Sequence, residues 1–108
     1  MKINFETFCR LYSEAKENTD IDHYTLERGW QEWMDGYNTD EIVQLLHYIY
    51  ECAQGGFRAV LRQYKSIKQL STLFAVPYGT AQKWNSGECV PPEYTIMMMA
   101  YITLNTYQ

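Results

Sequence analysis

The sequence predicts an all-α protein, and three observations carry that prediction. Every sustained apolar period lies near 3.6 residues, no run of β-branched residues alternates for long enough to make a strand, and helix start and stop signals punctuate the chain at helical lengths. In the first half, Phe5, Phe8, Leu11, Tyr12 and Ala15 fall on one stripe, the inward face of a first helix. Leu26, Trp30, Trp33, Met34 and Tyr37 repeat the pattern, which predicts a second helix with its tryptophans in the core. A third helix starts at Asn38. Its side chain can cap the first turn while Glu41, three residues on, reaches back, and the apolar face runs through Ile42, Leu45, Leu46, Ile49 and Ala53 to a stop at Gly55-Gly56.

Four shorter helical segments follow. Phe57, Val60, Leu61 and Tyr64 define the first, and Ile67, Leu70, Leu73 and Phe74 the second, with Ser66 as its N-cap. Pro77 opens the third, because a fixed φ and a missing N–H cost nothing at a helix start, and Gly87 ends it. Pro91-Pro92 precede a last helix, from about Glu93 to Leu104, that is apolar almost all round and so needs cover on more than one side. Trp33-Met34-Asp35-Gly36 echoes Trp84-Asn85-Ser86-Gly87, as a degenerate repeat would.

A chain of 108 residues, 46% of them hydrophobic, can bury one ordinary core. Cys9, Cys52 and Cys89 are odd in number, far apart and form no C-x-x-C, so they suggest neither a disulfide framework nor a zinc ribbon. The start, MKINFETFCR, has no apolar run like a signal peptide's, and the run from Ile96 to Ile102 is too short to cross a bilayer, so a cytoplasmic protein with no membrane partner is expected. The formal charge of −4 hides an asymmetry. Residues 1–54 hold four cations against eleven carboxylates, a balance of −7, and residues 55–108 hold five against two, a balance of +3. Two units are therefore expected: an acidic helical segment, 1–54, that braces, dimerises or binds a partner, packed on a C-terminal unit, 55–108, that tolerates an anionic partner.

Within that second unit, Leu70 to Val76, then Pro77-Tyr78-Gly79-Thr80-Ala81-Gln82-Lys83-Trp84-Asn85-Ser86-Gly87, then Val90-Pro91-Pro92 and an apolar helix, resemble the lambda-repressor-like (Cro/repressor, XRE-type) helix-turn-helix family of phage and bacterial regulators. The resemblance covers about residues 57–104, and its most specific part is the W-x-x-G-x-x-x-P ending from Trp84 through Gly87 to Pro91. It implies that Leu70, Phe74, Val76, Ala81 and Trp84 are core and that Ala75 makes the turn. It further implies that Tyr78, Gly79, Thr80, Gln82 and Lys83 face base edges and nearby phosphates of double-stranded DNA. Gln82 suits adenine N6 and N7, and Lys83 suits guanine O6 and N7. Arg58, Arg62, Lys65, Lys68 and Lys83 would neutralise phosphates, with Ser66 and Ser86 as hydroxyl donors. The chain departs from the family at Ile67, where many members place a phosphate-binding glutamine, and at Gly79, which costs roughly 1 kcal/mol in a helix interior relative to alanine. Members commonly bind as dimers, and the Met97-Met98-Met99 helix is the expected seam.

The residues offer no catalytic arrangement: neither a Gly-rich phosphate loop, nor a nucleophile elbow, nor a His/carboxylate pair stands out, so no enzyme and no cofactor is expected. His23, His47, Cys9 and Cys52 lack metal-ligand spacing and read as surface or packing residues. The leading expectation is a sequence-specific transcriptional regulator, a repressor. The competing one is an interaction protein, an antitoxin or a phage inhibitor, that uses the carboxylates of 1–54.

Overall fold

A computed structural model describes residues 2–107, and these form seven α-helices with no strand among them. The helices are α1 (Phe5–Glu17), α2 (Ile21–Leu26), α3 (Thr39–Gly55), α4 (Phe57–Leu61), α5 (Ile67–Phe74), α6 (Tyr78–Ser86) and α7 (Glu93–Tyr107), with one short 3-10 turn at Glu32–Met34. None is long and apolar enough to cross a membrane.

The local signals act where they stand in the sequence. The Asn38 side chain accepts from the Glu41 N–H at 2.9 Å and the Glu41 carboxylate accepts from the Asn38 N–H at 3.1 Å, so two of the orphan donors at the start of α3 are satisfied reciprocally. Gly56, at φ 70° and ψ −146°, then separates α3 from α4 in a conformation that a side chain would strain.

The segment after α2 departs from its periodicity. The stripe Leu26 to Tyr37 does not form one helix: α2 stops at Leu26, and Gly29 and Gly36, the latter at φ 86°, bracket a loop around the 3-10 turn. Its conformation is imposed from outside. Arg28 folds back so that Nε donates to the Tyr24 carbonyl at 3.0 Å, Nη1 donates to Glu14 on α1 at 3.1 Å, and the guanidinium lies 4.5 Å above the Tyr24 ring. Met34 is buried and Trp33 half-buried, but Trp30, expected in the core, is 72% exposed. The Trp33-to-Gly36 echo of Trp84-to-Gly87 reduces to a shared left-handed glycine, since the first lies in a 3-10 turn and the second at a helix end.

One continuous core runs through both halves of the chain, from Phe8, Leu11 and Tyr24 through Leu45, Leu46 and Ile49 to Val60, Leu70, Ala100 and Leu104. α7 lies against α1, α3 and α4. Tyr48 Oη donates to the Ala100 carbonyl at 2.9 Å, Tyr101 Oη donates to the Ile3 carbonyl at 3.0 Å, and Tyr12 Oη donates to Glu93 at 2.6 Å. Phe5 and Phe8 pack on the Tyr101 ring with centroids 5.0 and 5.2 Å away. α7 is covered on more than one side but not all round: Ile96, Met99, Ala100 and Leu104 are buried, whereas Tyr94, Met98 and Ile102 face outward.

Candidate nucleic-acid interface

α5 and α6 are joined by three residues, Ala75-Val76-Pro77, and the turn is closed by backbone bonds. The Val76 N–H donates to the Ser71 carbonyl at 2.9 Å and the Ala75 N–H to the Thr72 carbonyl at 3.3 Å, a Schellman arrangement that satisfies two terminal carbonyls of α5. It requires a left-handed residue, and Ala75 takes that place at φ 54°, ψ 37°. Pro77 then caps α6 without losing a bond, since Ala81 N–H reaches the Pro77 carbonyl at 3.0 Å.

The inward side of α6 is small. Ala81 is fully buried, and the Trp84 ring stacks edge-on against Phe57 of α4 with centroids 5.4 Å apart. Arg58, also on α4, donates from Nε to the Asn85 carbonyl at 2.7 Å, a cation placed on the negative end of the α6 dipole. These contacts hold α6 on α4 and α5 and leave its opposite side free. Tyr78 (49% exposed), Gly79, Gln82, Lys83 and Ser86 are exposed, and Thr80 is half-buried. A Cβ added at Gly79 would meet no heavy atom within 4 Å.

Two surface hollows flank α6. One of about 580 Å³ lies between α5 and α6, lined by Lys68, Ser71, Thr72, Val76 and Tyr78. The other, about 340 Å³, is lined by Gly79, Gln82, Lys83, Ser86 and Glu88. Thr72 was not anticipated from the sequence, although its position four residues after Lys68 puts both on one face of α5.

The candidate phosphate ligands do not behave alike. Lys65, Lys68 and Lys83 are exposed, and among the described residues none of the three makes an ion pair. Ser66 accepts from the Gln69 N–H at 3.1 Å as N-cap of α5, and Gln69 in turn accepts from the Lys65 N–H at 2.7 Å. Lys65 and Lys68 thus stand beside the positive end of the α5 dipole, where an anion is favoured. Ser86 donates to the Lys83 carbonyl at 3.1 Å, and Glu88 brings a carboxylate to the edge of the second hollow. Arg62 lies by the carboxyl end of α3, its guanidinium 3.5 Å from the position of a Cβ at Gly55. Arg58 is therefore committed to the carboxyl end of α6, whereas Arg62 is exposed, and Lys65, Lys68 and Lys83 are cations with no ion pair among the described residues. Glu93, the other carboxylate of this half, is held by Tyr12 and by Lys16 at 3.3 Å.

His23 pairs with Glu27 at 2.9 Å and with Asn18 at 3.0 Å, and Cys52 is buried in the core. Among the described residues no three His, Cys, Asp or Glu side chains gather as metal ligands do. Compared with protein-family models, with curated proteins and with solved structures, the chain matches none.

Proposed function

We propose that this chain is a sequence-specific DNA-binding transcriptional regulator, a repressor of the phage and bacterial helix-turn-helix kind, that inserts α6 into the major groove of its operator. The observation that carries the reading is the free side of α6: Tyr78, Gly79, Gln82 and Lys83 stand clear of the core, with unpaired Lys65 and Lys68 close by at the start of α5. The major groove is wide enough to admit a helix, and the Gln82 amide and Lys83 ammonium match purine edges there. Phosphate contacts fall to Lys65, Lys68, Lys83 and the hydroxyls of Thr72 and Ser66, while Arg58 acts as a brace.

The reading includes a homodimer, since one α6 with three lysines makes few contacts and two half-sites one helical turn apart double them. Tyr94, Met98 and Ile102, at i, i+4 and i+8, form an outward apolar stripe that is 63%, 44% and 45% exposed. α7 carries no charge after Glu93. A two-fold interface sets a patch against its own copy, so an uncharged stripe is suited to it where a charged one would repel. Sedimentation that finds only monomer at micromolar concentration refutes the dimer.

The decisive experiment titrates the protein against duplex from around its own gene and against random duplex at several salt concentrations. A regulator prefers its own region. With three lysines in each of two copies, log K falls with log salt at a slope of about −5. Gln82→Ala relaxes one base preference by roughly 1–3 kcal/mol, whereas Lys68→Ala weakens all sequences alike and reduces the slope. Equal affinity of both variants and the parent chain for every duplex refutes the assignment of α6.

A second reading, an inhibitor or antitoxin acting through residues 1–54, is favoured by one observation: a tryptophan stands in solvent on that acidic half.

A further inference from the structure

We propose that Leu26, the last residue of α2, and Trp30, on the loop that follows, are the anchor of a protein-docking site for a partner that offers an apolar pocket ringed by lysine or arginine. The inference goes beyond the DNA reading, and it rests on and sharpens the reading in which the acidic half binds a protein.

Trp30 is 72% exposed and Leu26 67%, on a chain whose other two tryptophans are packed into the core surface. Single exposed apolar residues are ordinary, but a leucine at a helix end and a tryptophan four residues on, in a loop of fixed shape, are not. The loop is fixed from both sides. Arg28, with only 10% of its side chain exposed, is tied to Tyr24, to Glu14 and, at 3.3 Å, to the Gln31 side chain. Gln31 Oε1 accepts from the Trp33 indole N–H at 2.6 Å, and the Gln31 N–H points to Met34 sulfur at 3.4 Å. Gly29 and Trp30 are the two residues between these tied positions, and among the described residues no hydrogen bond or ring contact holds the Trp30 side chain. A tryptophan presented on a preformed loop reaches its pocket without first ordering the backbone, which is how interface anchors gain affinity.

The surrounding charge chooses the partner. Asp22, Glu27 and Glu32 are exposed around the two apolar residues. Of the cations nearby, Arg28 is taken up by Glu14, and exposed Arg10, which lines a hollow with Glu32, is outnumbered by the three carboxylates. A cationic rim complements that local excess of carboxylates. Nucleic acid and an anionic lipid surface are repelled by it, and a second copy docked two-fold on the same loop would bring carboxylate against carboxylate.

The test uses the full-length chain as bait for a phage-displayed library of small folded domains with randomised surfaces, selected in parallel on the parent chain, on Trp30→Ala and on Glu27→Gln/Glu32→Gln. The expected result is that most enriched clones carry lysine or arginine around an apolar depression and lose roughly 30-fold or more in affinity on Trp30→Ala. On the double glutamine variant they lose affinity and much of their salt dependence. Clones that bind the parent and Trp30→Ala equally, yet weaken with salt, overturn the anchor while leaving protein binding by the acidic half standing. No enrichment at all overturns both. A Trp30-dependent dimer in sedimentation assigns the loop to a second copy, and a Trp30-dependent blue shift of fluorescence on phosphatidylcholine vesicles assigns it to a membrane. Either result overturns the proposal. So does unfolding of Trp30→Ala in a thermal melt, since removal of a free side chain leaves the fold intact.

Discussion

Replacing Gly79 with alanine separates the fold of α6 from its use. Gly79 sits in the first turn of the helix, with a φ outside the left-handed region and no heavy atom within 4 Å of an added Cβ. The methyl therefore clashes with nothing, and the variant recovers the backbone entropy that glycine loses on folding. That amounts to about 0.5–1 kcal/mol, with the lower figure favoured so near the helix end. Unfolding entropy scales with length, and for a chain of this size the gain raises the melting temperature by about 2–4 °C. The same methyl projects from the side proposed to enter the groove, next to Gln82 and Lys83, and holds the backbone off the duplex. Affinity for the operator is expected to fall about tenfold while stability rises, an opposition that no general loss of structure produces. Calorimetry and fluorescence anisotropy on the same preparation read the two effects. A lower melting temperature shows that the space around Gly79 is not open. A higher one with unchanged affinity shows that this side of α6 is not what meets DNA.

Ala75 makes the turn before α6 in the left-handed region, where an L residue with a Cβ is strained, so Ala75→Gly should stabilise by about 0.5–1 kcal/mol, read as a higher urea midpoint. Leu70, fully buried where α5 meets the core, should cost about 2–5 kcal/mol on substitution by alanine, read in the same assay. Burial pushes the Cys52 thiol from its usual 9.0 up to about 12, and it raises the hydroxyls of Tyr48, Tyr12 and Tyr24 as well. A raised pKa in the folded state means that the native protein holds these protons more tightly. Their contribution is therefore complete below pH 9 and is lost as pH rises toward 12; a urea midpoint that stays level across that window contradicts the burial. Thiol labelling at neutral pH should reach exposed Cys89 first, Cys9 more slowly and Cys52 only on unfolding.

The helix boundaries at Asn38, Ser66, Pro77 and Gly87 were legible because each is settled by atoms within four residues: a side-chain oxygen on an N–H, a ring that presets φ, or a missing Cβ. The outward side of α6 was legible for a similar reason, since Ala81 and Trp84 mark the buried side and the remaining positions follow from the helical period. The loop from Glu27 to Gln31 was not. Its spacing satisfies a helical stripe, but Arg28 is drawn to a carboxylate on α1, and that bond between separate helices, together with Gly29, outweighs local periodicity. The cation count of the second half was equally silent about direction, because charge is a sum over residues whereas Arg58 is aimed by the Asn85 carbonyl.

Sequence alone thus determined what is short-range in this protein: that it is helical, where most helices begin and stop, and that its charge is divided between halves. Tertiary packing decided what depends on which side chains meet at a distance. It turned Trp30 out into solvent, left one side of α7 uncovered, and committed Arg58 to the end of α6, because a contact between residues far apart in the chain has no signature in the period of either one.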